Sequence, residues 1–145
     1  MDYAEIYAKF LKKFLKLKAP LRVIFDCSNG TAGLVVKKLK NLEIDKLEIK
    51  LINDKPDGNF PAHGPNPMAE NALNDLKRAV KKYRADLGVI FDADGDRAFF
   101  ADNRGRAVSS DVIAELIAKN FSGAVILNIC SGYSARESLD RAKRK

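Results

Sequence analysis

The chain has 145 residues, 46% of them hydrophobic, and a formal net charge of +7. That is the size of one ordinary domain with enough apolar material for a core, and no apolar run approaches the roughly 20 residues that cross a bilayer. No signal-peptide h-region opens the sequence, so a soluble, cytoplasmic protein without a membrane partner is expected. The two cysteines, Cys27 and Cys130, are far apart and form no CxxC pair, which excludes a disulfide framework and a zinc site and leaves both thiols reduced.

Residues 3 to 17 place Tyr3, Ile6, Tyr7, Phe10, Leu11, Phe14 and Leu17 at i, i+3, i+4, i+7 spacing, predicting an amphipathic helix docked on its own domain. Lysines fill its other face. With the tail from Arg141 to Lys145 they hold most of the basic excess, but no RNP-like, zinc-finger or helix-turn-helix pattern accompanies them, so nucleic acid is not expected. Pro20 ends the helix, and residues 21 to 25 (LRVIF) read as a buried strand. The turn DCSNGTAG follows, then a helix over residues 31 to 42 and a strand over 47 to 52. In the turn, Asp26 to Gly33 allows two readings: a phosphate cradle at a helix start, or a tight turn with Thr31 as the helix cap, the favoured one.

Between Asn53 and Pro67 the sequence NDKPDGNFPAHGPNP carries four of the five prolines, which dictates a shaped loop with little regular structure. His63, the only histidine, lies in it and reads as structural. Helix is expected again over residues 70 to 83, and a third buried strand over 86 to 91. AFFAD, a DNRGR turn and AVSS form a hairpin. A helix over 110 to 120, a strand over 124 to 129 and a weakly helical tail complete the chain; Ser134, in GYSAR, suits a helix cap better than a nucleophile. Strands alternating with helices predict an α/β fold, three-layer α/β/α with a mixed, mostly parallel sheet.

The third strand runs into IFDADGDRAFF, where Asp92, Asp94 and Asp96 alternate and Arg97 follows. Two carboxylates about 4 Å apart repel by roughly 4 kcal/mol at an effective dielectric of 20, so the cluster calls for a cation. Hard oxygen donors suit Mg²⁺, Mn²⁺ or Ca²⁺. An EF-hand fails, because counting from Asp92 its glycine and glutamate positions hold Arg97 and Asn103. FDADG also resembles the first motif of the haloacid dehalogenase phosphatases, with Asp92 as nucleophile and Asp94 as acid/base. Against that reading, Asp96 stands where the motif has threonine, and few residues remain to supply the other motifs.

DADGDR, together with the ADLG strand before it, the PDGNFPAHGPNP loop and the opening VIFDCSNGTAG, resembles the second domain of the α-D-phosphohexomutases, the phosphoglucomutases and phosphomannomutases. The order of these motifs runs from about Asp2 to Ala142; the metal loop differs from the usual DGDGDR only at Ala93. The resemblance implies Mg²⁺ held by Asp92, Asp94 and Asp96 and by a phosphoserine of another domain, with Arg97 beside the phosphoryl group. It also implies a phosphosugar substrate whose phosphate moves between C1 and C6 through a bisphosphate. The family's Ser-His-Asn-Pro, GEMSGH-type and RxSGTEP motifs do not occur. The expected organisation is therefore a metal-binding domain II over residues 1 to 106 and the beginning of domain III over 107 to 145, inert alone and partnered by the remaining domains of a parent enzyme. A stand-alone binding module using the basic first helix is the alternative of a different class.

Overall fold

The computed structural model describes residues 1–121, 123–127, 132–133, 136–137 and 140. They form two compact units, Met1–Ala107 and Val108–Lys145. In the first, α1 (Tyr3–Lys12), β1 (Leu21–Asp26), α2 (Ala32–Asn41), β2 (Leu47–Ile52), α3 (Asn74–Tyr83), β3 (Leu87–Phe91) and β4 (Ala98–Asp102) follow in order, with β5 (Ala107–Val108) at the junction. The sheet order is β2-β1-β3-β4-β5. β1 pairs in parallel with both β2 and β3, while β4 runs antiparallel to β3, giving the expected mixed sheet.

Side-chain alternation along the strands sorts the core into two layers. Ile24 and Ile90 face α3, where they pack with Leu76, Ala79, Val80, Ala85 and Ala101. Phe25, Ile49, Leu51 and Phe91 point the other way, onto Val36 and Leu39 of α2 and Ala8 of α1. Gly88 faces α3, where a Cβ would come within 2.7 Å of Val80 Cγ2. The result is helix, sheet, helix, as the alternation of elements predicts.

Two boundaries shift most from expectation, each for a local reason. α1 stops at Lys12, because the chain tightens into i→i+3 bonds from Lys13, Phe14 and Leu15. Its docking face is Ala8 with Leu11 and Leu15. Tyr3, Tyr7, Phe10 and Phe14 stay exposed, with Tyr7–Phe10 and Phe10–Phe14 ring pairs at 6.2 and 5.0 Å. The small Ala8 lets the α1 backbone approach α2, and that turns the bulky stripe outward. α3 starts at Asn74 rather than residue 70, because Asn71 adopts φ +64°, which a helix does not accept.

In the second unit α4 (Ser110–Ala118) is capped by the Ser109 hydroxyl, which accepts from Asp111 N–H. Residues 124–127, expected to open a strand, form none. Residues 128–129 of that strand, Cys130, Ser134 and the tail from residue 141 lie outside the described residues.

The β4–β5 turn is tied by Asp102, whose carboxylate accepts from the Arg104 and Arg106 amides at 3.0 and 2.8 Å and from Arg106 Nε at 2.8 Å. These bonds, the Arg106 amide first, hold the Asp102 carboxyl below its usual range. A carboxyl lowered on folding contributes stability above its unfolded pKa and loses it as pH falls through the folded value. Amide exchange at Arg104 and Arg106 is accordingly expected to accelerate on acidification below the usual Asp range, beyond the intrinsic pH dependence. In Asp102→Ala, which removes the acceptor of both amides, it is faster than in wild type at every pH.

Candidate metal centre

β3 is buried along its middle and ends where its hydrophobic run meets Asp92, so the first aspartate stays at the sheet's end inside the protein. Asp92 is fully buried. Its Oδ1 accepts from the Gly95 and Arg97 amides at 3.0 and 3.1 Å, and its Oδ2 from Arg97 Nε at 2.6 Å. A carboxylate offers about four lone-pair positions, so these three bonds leave one, which the Asp96 carboxyl approaches in the metal-free protein and a cation can take in its place. Asp94 and Asp96 are exposed, and one oxygen from each of the three aspartates lies within 4.8 Å of the others. That spread is close to the roughly 4.2 Å across a Mg²⁺ octahedron with 2.1 Å bonds. Three hard anionic donors on a short, half-exposed loop fit a divalent ion of the Mg²⁺ or Mn²⁺ type. Among the described residues no other group of three such donors converges.

The electrostatics are those of a crowded anion site. Burial alone would push the Asp92 carboxyl up. The Arg97 amide and guanidinium, with the hydrogen bond to Asp96, overcome that and hold it below the usual range. Asp96 is pushed up by its hydrogen bond with Asp92 and then by the charges of Asp94 and Asp92. Arg97 engages Asp92 and Asp96 through Nε at 2.6 and 3.4 Å, while its side chain remains 55% exposed and offers donors to solvent. All four residues expected from sequence are thus brought together.

Ala93, the departure from the usual loop, causes no backbone strain. The left-handed position is Gly95 at φ +80°, and Ala93 lies outside that region. Its carbonyl instead accepts from Thr31 N–H at 2.9 Å, and its N–H donates to Pro65 O at 3.2 Å. The Thr31 hydroxyl reaches the Ala93 and Asp94 carbonyls at 3.3 and 3.2 Å.

This corrects the reading of the β1–α2 turn. Thr31 makes no side-chain cap on α2; it clamps the aspartate loop. A phosphate cradle does not fit either, because the turn's amides are spent within the protein: Ser28 N on Asp26, Asn29 N on Asn53 O, Gly30 N on Cys27 O and Thr31 N on Ala93 O. Cys27 beside them is buried, and that burial, then the charges of Asp26 and Asp54, pushes its thiol up to about 12, which makes it unreactive. Sequence reading missed these supports. The one available signal was glycine at position 30, where a Cβ would lie 2.3 Å from Ala93 O.

Residues 2–105 match the family model described as phosphoglucomutase/phosphomannomutase, alpha/beta/alpha domain II. A phosphomannomutase of Methanocaldococcus jannaschii is 40% identical over 119 residues, covering 82% of this chain and 26% of the relative. A phosphomannomutase/phosphoglucomutase of Pseudomonas aeruginosa is 35% identical over 120 residues, covering 83% of this chain and 26% of the relative. The crystal structure of a phosphoglucomutase/phosphomannomutase family protein from Burkholderia thailandensis superposes with a TM-score of 0.70 at 30% identity, over 83% of this chain and 27% of that one. The chain spans about a quarter of the length of these relatives. On this shared sequence and fold, the chain belongs to the phosphoglucomutase/phosphomannomutase family and carries its alpha/beta/alpha domain II over residues 2–105.

Proposed function

We propose that this chain is the metal-holding part of a phosphohexomutase, an isomerase that moves a phosphoryl group between the 1- and 6-positions of a hexose phosphate through a bisphosphate intermediate. The observation that carries this reading is the convergence of Asp92, Asp94 and Asp96 at the carboxyl end of β3, where open α/β sheets bind ligands. The three aspartates would hold Mg²⁺. Bound there, the ion supplies neutralisation of charge on a transferring phosphoryl group. Asp92 keeps the loop folded and orients Arg97, whose exposed guanidinium presents donors to phosphate oxygens.

The division of the chain follows the same reading: residues 1 to 106 as domain II, residues 107 to 145 as the beginning of domain III. The exposed aromatic stripe of α1 supports a surface that the rest of a parent enzyme covers. A cytoplasmic location is part of the same proposal; no helix among the described residues is long and apolar enough to cross a membrane. The family match over residues 2–105 favours the mutase reading over the phosphatase resemblance of FDADG.

The test is a Mn²⁺ titration of the 145-residue chain with Mg²⁺ competition, repeated on Asp94→Asn and Asp96→Asn. Both variants remove a like charge from the cluster. The metal-free protein is therefore expected to resist urea at least as well as wild type at neutral pH, while metal affinity falls. An unchanged affinity in both would reject the site. The chain alone is expected to turn over no hexose phosphate, and robust phosphatase activity lost in Asp92→Asn would reject the mutase reading.

A further inference from the structure

Asp26 ends β1 with its side chain fully buried, and it gathers three separate segments. Its Oδ1 accepts from Ser28 N and from Asn53 Nδ2, each at 3.0 Å, and its Oδ2 meets His63 Nε2 at 3.1 Å. With Oδ2 as acceptor, Nε2 carries the hydrogen. The His63 side chain is 7% exposed, and its Nδ1 is buried without a partner. Two of the gathered segments then grip the aspartate loop through its backbone. Ser28 Oγ donates to Phe91 O, three residues before Thr31 takes Ala93 O. On the other side, two residues after His63, Pro65 O takes Ala93 N–H. The peptide units flanking Ala93, between Asp92 and Asp94, are therefore held from both loops.

We propose that the Asp26–His63 pair is a positioning device for the metal loop: it fixes the β1–α2 turn and the proline-rich loop against each other, so that Thr31 and Pro65 hold Ala93 where the aspartates converge. Stability alone is a poor explanation of the pair. A buried polar pair is often matched or bettered by apolar residues of similar volume, and the unpartnered Nδ1 is a further cost. Neither residue touches a metal-ligating oxygen, so the pair acts through backbone geometry. The inference rests on the metal reading of the aspartates.

The experiment compares wild type, His63→Ala, His63→Asn, His63→Gln and, as a control from the core on the α2 side, Ile49→Val. Mn²⁺ affinity is read at a temperature where circular dichroism shows each variant folded, together with amide exchange at Ala93 and Gly95. His63→Ala is expected to lose about ten- to hundredfold in affinity, the cost typical of outer-shell residues at metal sites, and to exchange faster at Ala93. His63→Gln, which keeps an N–H donor within reach of Asp26, recovers most of both; Ile49→Val changes neither. Should His63→Ala not fold, His63→Asn, polar but too short to reach Asp26, carries the same expectation. Wild-type affinity and exchange in the folded Ala or Asn variant would overturn the proposal, as would an equal loss in Ile49→Val. If wild type takes up no Mn²⁺, the metal reading fails and Ala93 exchange alone decides: faster in the variants supports positioning, unchanged overturns it.

Discussion

Gly30→Ala is expected to loosen the aspartate loop and unfold at lower urea than wild type, by about 1–3 kcal/mol or more, the usual cost of inserting a methyl group where there is no room. The added Cβ would lie 2.3 Å from Ala93 O and 2.9 Å from Ala93 C and Cα. All three are backbone atoms, so no side-chain rotation relieves the overlap. Either the β1–α2 turn retreats, breaking the Thr31 bonds to Ala93 and Asp94, or the loop retreats, spreading the aspartates. Both routes weaken Mn²⁺ binding. Gly58→Ala is the matching control: a Cβ there meets nothing within 4 Å, so its urea midpoint and metal affinity are expected to stay within error of wild type. The glycine at position 30 is thus required by the approach of two loops rather than by its own backbone angles, since it is not among the residues with positive φ.

The fold was largely legible because its strands bury by a local rule. Residues 21–26 and 87–91 are short, mainly apolar runs and residues 47–52 an alternating one, each between turn signals, and the apolar run of β3 ends at Asp92 as its composition implies. What sequence could not show are choices made by neighbours. Which stripe of α1 docks depends on how near α2 comes, and Ala8 with Leu11 wins over Tyr3, Tyr7, Phe10 and Phe14 because small side chains permit the closer approach. Asn71 could have continued a helix, and only its left-handed angle in the finished loop moves the start of α3 to residue 74.

The site divides the same way. Alternate aspartates after an apolar strand announce an acidic cluster, and the structure brings them within reach of one ion. The grip of Thr31 and Pro65 on Ala93 joins positions 62 and 28 residues apart through backbone atoms, which carry no residue-specific signal. His63 reads as structural from sequence; its partner Asp26, 37 residues away, becomes visible only when β1 and the proline-rich loop meet.

Asp92→Asn is expected to separate Asp92 from its two neighbours in the cluster by the sign of its effect on the metal-free protein. Asp94 and Asp96 are exposed and repel the rest, so neutralising either relieves the apo state. Asp92 is buried and satisfied, with Oδ1 on two amides and Oδ2 on the Arg97 guanidinium. Asparagine can keep the Oδ1 bonds, but its amide nitrogen then points a donor at Arg97 Nε, and one charge-assisted bond is lost. A loss of about 1.5–3 kcal/mol in urea unfolding follows, the range for hydrogen bonds to charged groups. Asp92→Ala is worse, because it also strands the Gly95 and Arg97 N–H groups at the buried end of β3, at about 1–3 kcal/mol for each that water cannot reach. Mn²⁺ affinity is expected to fall by more than about 100-fold in both, beyond the loss caused by an outer-shell residue. Urea midpoints that rise in Asp92→Asn as they do in Asp96→Asn would show that the first aspartate is merely another repelling charge. A fall in one and a rise in the other, with metal binding lost in both, would mark Asp92 as the residue that builds the loop as well as a ligand within it.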